Sequence, residues 1–406
     1  MDCLALLLKR AVNYVGQATR KPSRQLSALE TLPPELILCI ADFLSGPDIL
    51  CLGLCSHQLL GTISKENPAS FLSQSKHKSK FKTETLIRIA RDDPDVFCCL
   101  RCAKLQRLAD IKHPASTDRN RYHSCPDISR EHYDDILGPL WMLLGSWAGG
   151  VLYNFRHGHL AAVMQNHFRG STRTITAEML QYTQVTTNSP GVRDSVVTEL
   201  VSVEGRVCSR SQDQTQRRDE GSTSASTLVL QVQNWTLFHD RPAMDSVMGE
   251  LRLTKICAHE CVGDAVRAGG WDVDVDLQLH REGLVLENQC CRACGVEFRV
   301  SLHSCGADGR AVVVTKWVDL GSGLDIDDVK WKRVLSGSEK RYLVTASPGD
   351  VSRLFQDASR VSSRDSDPTE RNRSFLMGEE YRRLLHERTG GLFFSSVPYH
   401  WRVQSK

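Results

Sequence analysis

The sequence contains no uninterrupted apolar run of about 18 residues, the length that a bilayer demands of a spanning helix, so no membrane span is expected. A secretory signal is also missing. Leu4–Leu8 is a short apolar run, and no small-residue cleavage site follows it. Charge of one sign is scarce: Lys+Arg number 51 and Asp+Glu 48, a net +3. That is too little for the strongly basic face by which nucleic-acid binding is recognised. No GxxxxGK[ST] phosphate loop, GxSxG elbow or HExxH helix occurs, and no catalytic constellation is indicated. No repeat of about 20–50 residues marks a solenoid or propeller.

What is present is an average globular composition, 41% hydrophobic and 24% charged over 406 residues. That is enough for two or three domains, each with its own core. The fifteen cysteines lack an export signal, so reduced thiols are expected, buried or bound to metal. Residues 1–26 are basic (Lys9, Arg10, Arg20, Lys21, Arg24, against Asp2) and form an N-terminal extension. A frayed amphipathic segment is the reading preferred over a mitochondrial presequence.

Polar stretches divide the chain. "SKHKSKFK" (Ser75–Lys82) reads as a solvated linker, "SRSQDQTQRRDEGSTSAS" (Ser209–Ser226) as a loop, and "ASRVSSRDSDPTERNRS" (Ala358–Ser374) as another. Residues 85–110 and 133–166 carry helical spacing, as in Leu137, Leu140, Trp141 and Leu144. From about 171 the pattern alternates: "STLVLQVQNW", "WDVDVDLQLH", "GVEFRVSL" and "RAVVVTKWV". These predict strands with one buried face in an antiparallel sheet or curved sandwich. "GEEYRRLLHE" (Gly378–Glu387) reads as a short amphipathic helix. The fold class expected is α+β: three N-terminal helices over 27–70, a helical linker with Cys and His residues over 71–168, a β-rich, mainly antiparallel domain over 169–357, and a polar linker with a terminal helix over 358–406.

Two features carry function. The first is "LETLPPELILCIADFLSGPDILCLGLCSHQL" (Leu29–Leu59). Pro33 and Pro34 suit a helix start, where amides have no intrahelical acceptor, and Glu35 complements the dipole. Leu36, Ile40, Phe43 and Leu44 share a face, widened by Ile37. Gly46-Pro47 ends that helix. Asp48 opens a second with Ile49, Leu52 and Cys55 inward, and Ser56 can cap a third holding Leu59 and Leu60. Gly53 is a poor helix residue. So short a helix set needs a partner or the rest of the chain to cover its apolar faces.

This stretch resembles the F-box. Leu32-Pro33-Pro34-Glu35-Leu36-Ile37, Ile40, Phe43-Leu44, Asp48-Ile49, Leu52 and Cys55-Ser56-His57 stand at the motif's positions; Cys55 replaces the usual valine and Leu59 a common aromatic. The resemblance implies binding of a Skp-family adaptor and, through it, a cullin–RING ubiquitin ligase, with the rest of the chain recruiting an unknown substrate protein. It also implies that Leu32, Pro33, Leu36, Ile40, Leu44 and Ile49 face the adaptor. The expectation is a non-catalytic subunit in the cytoplasm, the nucleus or both. Beyond it, "HGHLAAVMQNHFRG" and "VTKWVDLGSG" are similar to stretches of fungal F-box proteins of uncharacterised specificity, and imply no substrate. Two alternatives stay open: an F-box scaffold that recruits no cullin, and a zinc-stabilised nucleic-acid-binding protein using the lysines at 76, 78, 80 and 82.

The second feature is a set of Cys and His pairs. "KICAHECV" and "ENQCCRACGVEF" offer Cys257, His259, Cys291 and Cys294, two close pairs able to close a structural zinc site. Cys305 and His303 are alternative ligands. A second set is Cys99, Cys102, His113 and Cys125, though Gln106 stands where the fungal proteins often place a histidine. Buried free thiols are the competing reading for both. Neither CxxC lies in a βαβ pattern, which disfavours a thioredoxin-like role. "DLGSGLDIDD" lacks EF-hand ligand spacing and reads as a solvated loop. Trp235, Trp271, Trp317 and Trp331 are expected in the core rather than on a recognition surface.

Overall fold

Pro33 and Pro34 do start the first helix. The computed structural model describes residues 29–66, 78–93, 95–99, 104–111, 113–115, 153, 155–170, 175–188, 197–209, 226–238, 254–257, 259–263, 283–306, 309–323, 328–335, 347–361, 368–379 and 381. The fold is α+β, and the chain forms two compact units. One comprises 1–110 with 125–127, the other 111–124 with 128–406. The segment 71–168, read from the sequence as one linker, is shared between them.

In the first unit, α1 (Pro34–Asp42), α2 (Gly46–Leu54) and α3 (His57–Glu66) surround a small core of Ile37, Leu59 and Ile63, joined by Leu29, Leu32, Ile49 and Leu52. Ser56 caps α3, its hydroxyl accepting the Gln58 and Leu59 amides at 3.1 and 3.4 Å. Gly53 has a packing reason: a Cβ there would lie 3.2 Å from Leu60 Cδ1, so glycine lets α2 approach α3. α4 (Lys78–Asp92) follows. Its Arg88 reaches Asp48 at the start of α2, Nε to Oδ1 2.5 Å. The expected linker at Ser75–Lys82 is corrected for 78–82, which are helical. A further correction concerns 96–107, expected to be helical. A hairpin stands there, β1 (Val96–Cys99) with β2 (Lys104–Arg107). Asp93-Pro94 cannot continue a helix, and "VFCC" suits a strand. Leu86, Ala90 and Cys98 form the core between α4 and the hairpin.

The second unit is built on a six-stranded antiparallel sheet of order β3-β4-β5-β8-β7-β6. The strands are β3 (Tyr182–Asn188), β4 (Val197–Ser209), β5 (Ser226–Phe238), β6 (Gly283–Cys290), β7 (Glu297–Ser304) and β8 (Arg310–Asp319). One face carries the main core: Val201, Val203, Leu228, Leu230, Val232, Phe298, Val300, Leu302, Val312, Val314 and Val318. Packed on it are Leu160, Val163 and Met164 of α5 (His157–Arg169) and Trp331 of α6 (Val329–Leu335).

The other face was expected to meet solvent, and does not. β5 and β8 are buried along nearly their whole length. α7 (Asp350–Val361) brings Val351 and Phe355 against Cys208, Val229 and Trp317. α8 (Pro368–Leu376) brings Leu376 against Leu200, Trp235, Leu237 and Val313, with Tyr381 beyond its end. The polar segment from Ala358 to Ser374, read as a loop, therefore holds the end of α7 and most of α8. Arg353, Asp357 and Glu370 are exposed, Arg371 pairs with buried Glu204 of β4, and a few spaced apolar residues reach the sheet. Buried Glu297 on β7 accepts the Val351 and Ser352 amides at 2.7 and 2.9 Å, fixing the α7 N-terminus.

Trp235, Trp317 and Trp331 are core residues, as expected. The acidic loop after β8 is not simply solvated. Asp319 is largely buried against Lys330, and Asp328 caps α6 by accepting the Lys330 amide at 2.9 Å. Gly323, at φ 65°, lies so close to α5 that a Cβ would stand 2.7 Å from Leu160. The two stretches that carry the looser fungal resemblance are thus neighbours. Residues 133–152, "WDVDVDLQLH" with Trp271, the interior of the Ser209–Ser226 loop, and most of Gly378–Glu387 lie outside the described residues. Among the described residues, no helix is long and apolar enough to cross a membrane.

Candidate functional site

Two turns bring four ligand-bearing side chains together. The first lies in the long connection between β5 and β6. Thr254 and Val262 close it, with Lys255 bridged to Cys261. Inside it the Ile256 and Cys257 amides both donate to Glu260 O, at 3.0 and 3.3 Å. The second is the turn from β6 to β7. The Cys291 amide donates to Val296 O at 2.9 Å, and the Gly295 amide to Cys291 O at 2.8 Å. Gly295 has φ 76°, a left-handed conformation that glycine adopts without strain. This lets the chain fold back so that both thiols of Cys-x-x-Cys-Gly point the same way.

The ligand atoms of Cys257, His259, Cys291 and Cys294 all lie within 4.8 Å of one another. A tetrahedral zinc centre, with bonds of about 2.0–2.3 Å, has edges of roughly 3.3–3.8 Å, so a small contraction closes the set. The three cysteines are buried in the main core and His259 is exposed. The imidazole covers the thiols from the solvent side. Its Nδ1 is 3.9 Å from Cys257 Sγ, which also accepts the His259 amide at 3.4 Å.

Without metal, three crowded thiols share protons. Hydrogen bonding to Cys291 holds the Cys257 thiol up, at about 12. Cys294 is also raised, by Cys257 and then Cys291. Cys291 is pulled far down, accepting from Cys257, Cys294 and the Cys294 and Ala293 amides. Such an arrangement favours one thiolate at once and two more when a cation replaces their protons. The donor set suits a soft divalent metal, and four protein ligands leave no open coordination position.

The sequence did not single out Lys316, which is fully buried on β8 on this same face. Its Nζ donates to Lys255 O at 2.6 Å. Burial lowers its pKa to about 7, against a smaller opposing pull from Cys257. A signal was present: in "RAVVVTKWVD" the lysine occupies an inward position of the Val312, Val314, Val318 alternation. The alternatives His303 and Cys305 belong elsewhere. Cys305 packs in the core on the opposite face, and His303 stacks on Trp235 there and meets Ser301 Oγ at 2.9 Å.

For the second set, Cys99 ends β1, and Cys102 and Cys125 lie outside the described residues. His113 belongs to the second unit, where it is half-buried. Its Nδ1 accepts the Ala115 amide at 3.1 Å, and its ring also bonds the backbone of Met179 and Gln181. Burial lowers its pKa. The cysteines whose side chains are described are free thiols.

On the N-terminal helices, α1 sorts its apolar residues. Ile37 is 1% exposed and Ala41 is buried, whereas Leu36, Ile40 and the following Phe43 are 49%, 37% and 91% exposed. Pro33 is exposed and Leu44 half-buried. Leu32 and Ile49 pack partly against the unit's own core, which reduces what they can offer a partner. Comparison of the chain with protein-family models, curated proteins and solved structures returned no match.

Proposed function

We propose that this protein is the substrate-recognition subunit of a Skp–cullin–F-box ubiquitin ligase. The observation that supports this most is the exposed Leu36, Ile40 and Phe43 surface of α1, directly after the Leu32-Pro33-Pro34-Glu35 start. A three-helix unit with its own core of Ile37, Leu59 and Ile63 leaves those side chains available to a Skp-family adaptor. The chain then performs no chemistry. It raises the effective concentration of a target near a ubiquitin-charged enzyme, in the cytoplasm, the nucleus or both. The second unit takes the target, and a structural zinc at Cys257, His259, Cys291 and Cys294 secures its β6–β7 turn. Co-purification of the full chain with a Skp-family adaptor and a cullin tests the reading. Retention of both is expected. Retention of the adaptor alone points to a scaffold that recruits no cullin, and retention of neither overturns the proposal.

A further inference from the structure

Lys316 occupies a place where a valine would fit the pattern. In the register of the sheet it faces Val232 on β5 and Phe298 on β7, both members of the main core, and its exposure is 0%. An ammonium withdrawn from water is costly unless an opposite charge stands near it. Its bond to the Lys255 carbonyl satisfies a donor and fixes where the ammonium sits. Lys255 is two residues before Cys257 and is bridged to Cys261, so Nζ is held beneath the cysteine turn, within electrostatic reach of Cys257.

The charge of the metal centre accounts for such a lysine. A divalent cation with three thiolates and a neutral imidazole sums to minus one. With three of its four ligands in the core, that negative charge is itself poorly solvated. We propose that Lys316 is the counter-charge of the centre, the lysine ammonium and the Cys3His cluster together forming a neutral buried unit. This inference rests on the metal-centre reading. It assigns the Lys316 position a role in metal affinity although the residue binds no metal. It also sets a preference for a divalent over a monovalent ion, since a monovalent ion would leave the unit at minus one.

The test compares the full chain with Lys316→Met, which keeps the length and apolar stem of the side chain. Zinc affinity is read by competition with a chromophoric chelator, and ligation by the thiolate charge-transfer band of the cobalt(II)-substituted protein. Thermal unfolding is followed with and without zinc. The wild type is expected to hold one zinc, and the variant to bind it about 10–100-fold more weakly, as loss of an outer partner of a metal site does. Its metal-free form should melt no lower than the metal-free wild type, because the variant no longer buries an ammonium. If the wild type holds no zinc, the metal reading fails and this inference with it. Equal affinity in variant and wild type overturns the counter-charge while leaving the centre standing. A metal-free variant destabilised as much as the zinc form means Lys316 is only packing. Should Lys316→Met be insoluble, Lys316→Arg decides: affinity within threefold of wild type supports the role of charge, and a tenfold loss overturns it.

Discussion

Asn372 and Gln233 stand 139 residues apart in the chain and meet at 2.8 Å, the Asn372 amide donating to Gln233 Oε1. The same amide donates to Ser202 Oγ at 2.7 Å. Gln233 in turn donates to Thr369 Oγ1 at 2.9 Å and accepts from Trp235 Nε1 at 3.1 Å. A polar strip thus runs between two apolar clusters on the second face of the sheet and sets where α8 lies. Apolar contact alone is tolerant of sliding, whereas this network specifies one register.

Asn372→Ala should therefore lower stability by about 1–3 kcal/mol, the cost of leaving buried polar groups without a partner. Urea unfolding followed by tryptophan fluorescence measures it, because Trp235 shares the network. A loss below a few tenths would mean that α8 is held by its other contacts, Leu376 and the Arg371–Glu204 pair among them.

The ion pair of largely buried Asp319 with partly exposed Lys330, Oδ2 to Nζ 2.7 Å, carries a pH signature. Burial opposes the Asp319 charge, but Lys330, Thr227 and the Gly321 amide outweigh it, and its pKa falls below the ordinary value. A carboxylate depressed in the folded state stabilises above its unfolded pKa of about 3.9 and loses that contribution as the pH falls through its folded value. Asp319→Asn should cost about 1–3 kcal/mol at neutral pH. The gap from wild type should shrink progressively below about pH 4. A gap that is flat across the acid range would refute the charge argument.

Sequence reasoning found the central strands and the cluster of Cys257, His259, Cys291 and Cys294 because both are local signals. "RAVVVTKWV" and "STLVLQVQNW" are β-branched and apolar enough to be strands in any context, and each Cys or His pair needs only one turn. The burial of the second face was not legible, because the covering α7 and α8 come from a segment rich in Arg, Ser and Asp. Val351, Phe355 and Leu376 are too few to raise its average hydropathy. Gln231 and Gln233 on β5 looked like the solvent side of an alternation. Both are inside, and Thr369 and Asn372, which bond Gln233, lie far along the chain. The β1–β2 hairpin was missed for the opposite reason: its apolar residues fit either period over so short a span.

Removing zinc from the proposed centre should loosen the second unit. Stripping zinc with a strong chelator should lower the melting temperature by about 5–15 °C, and added zinc should restore it. Cys291→Ser with Cys294→Ser should abolish both the bound zinc and the response to chelator. Unchanged zinc content in that variant would move the metal elsewhere.

α1 offers an internal control for the adaptor reading. Leu36→Ala with Ile40→Ala should leave the thermal stability of the chain within about 0.5 kcal/mol yet eliminate co-purification of a Skp-family adaptor. Ile37→Ala, one residue away and buried, should instead destabilise the helical unit by about 2–5 kcal/mol. If adaptor binding survives the double substitution, the contact lies on another surface.

The strand order has a consequence for synthesis. β3, β4 and β5 form one meander and β6, β7 and β8 another, and they join only where β5 meets β8. As the chain leaves the ribosome, β5 emerges with its outer edge unpaired and with Leu228, Leu230 and Val232 on one face. It must wait until Arg310–Asp319 has been made. An open, apolar strand edge is a template for association with other chains. Crowded nascent chains of this protein should thus be most aggregation-prone between the completion of β5 and that of β8, the window in which a chaperone that shields strand edges would raise the yield most.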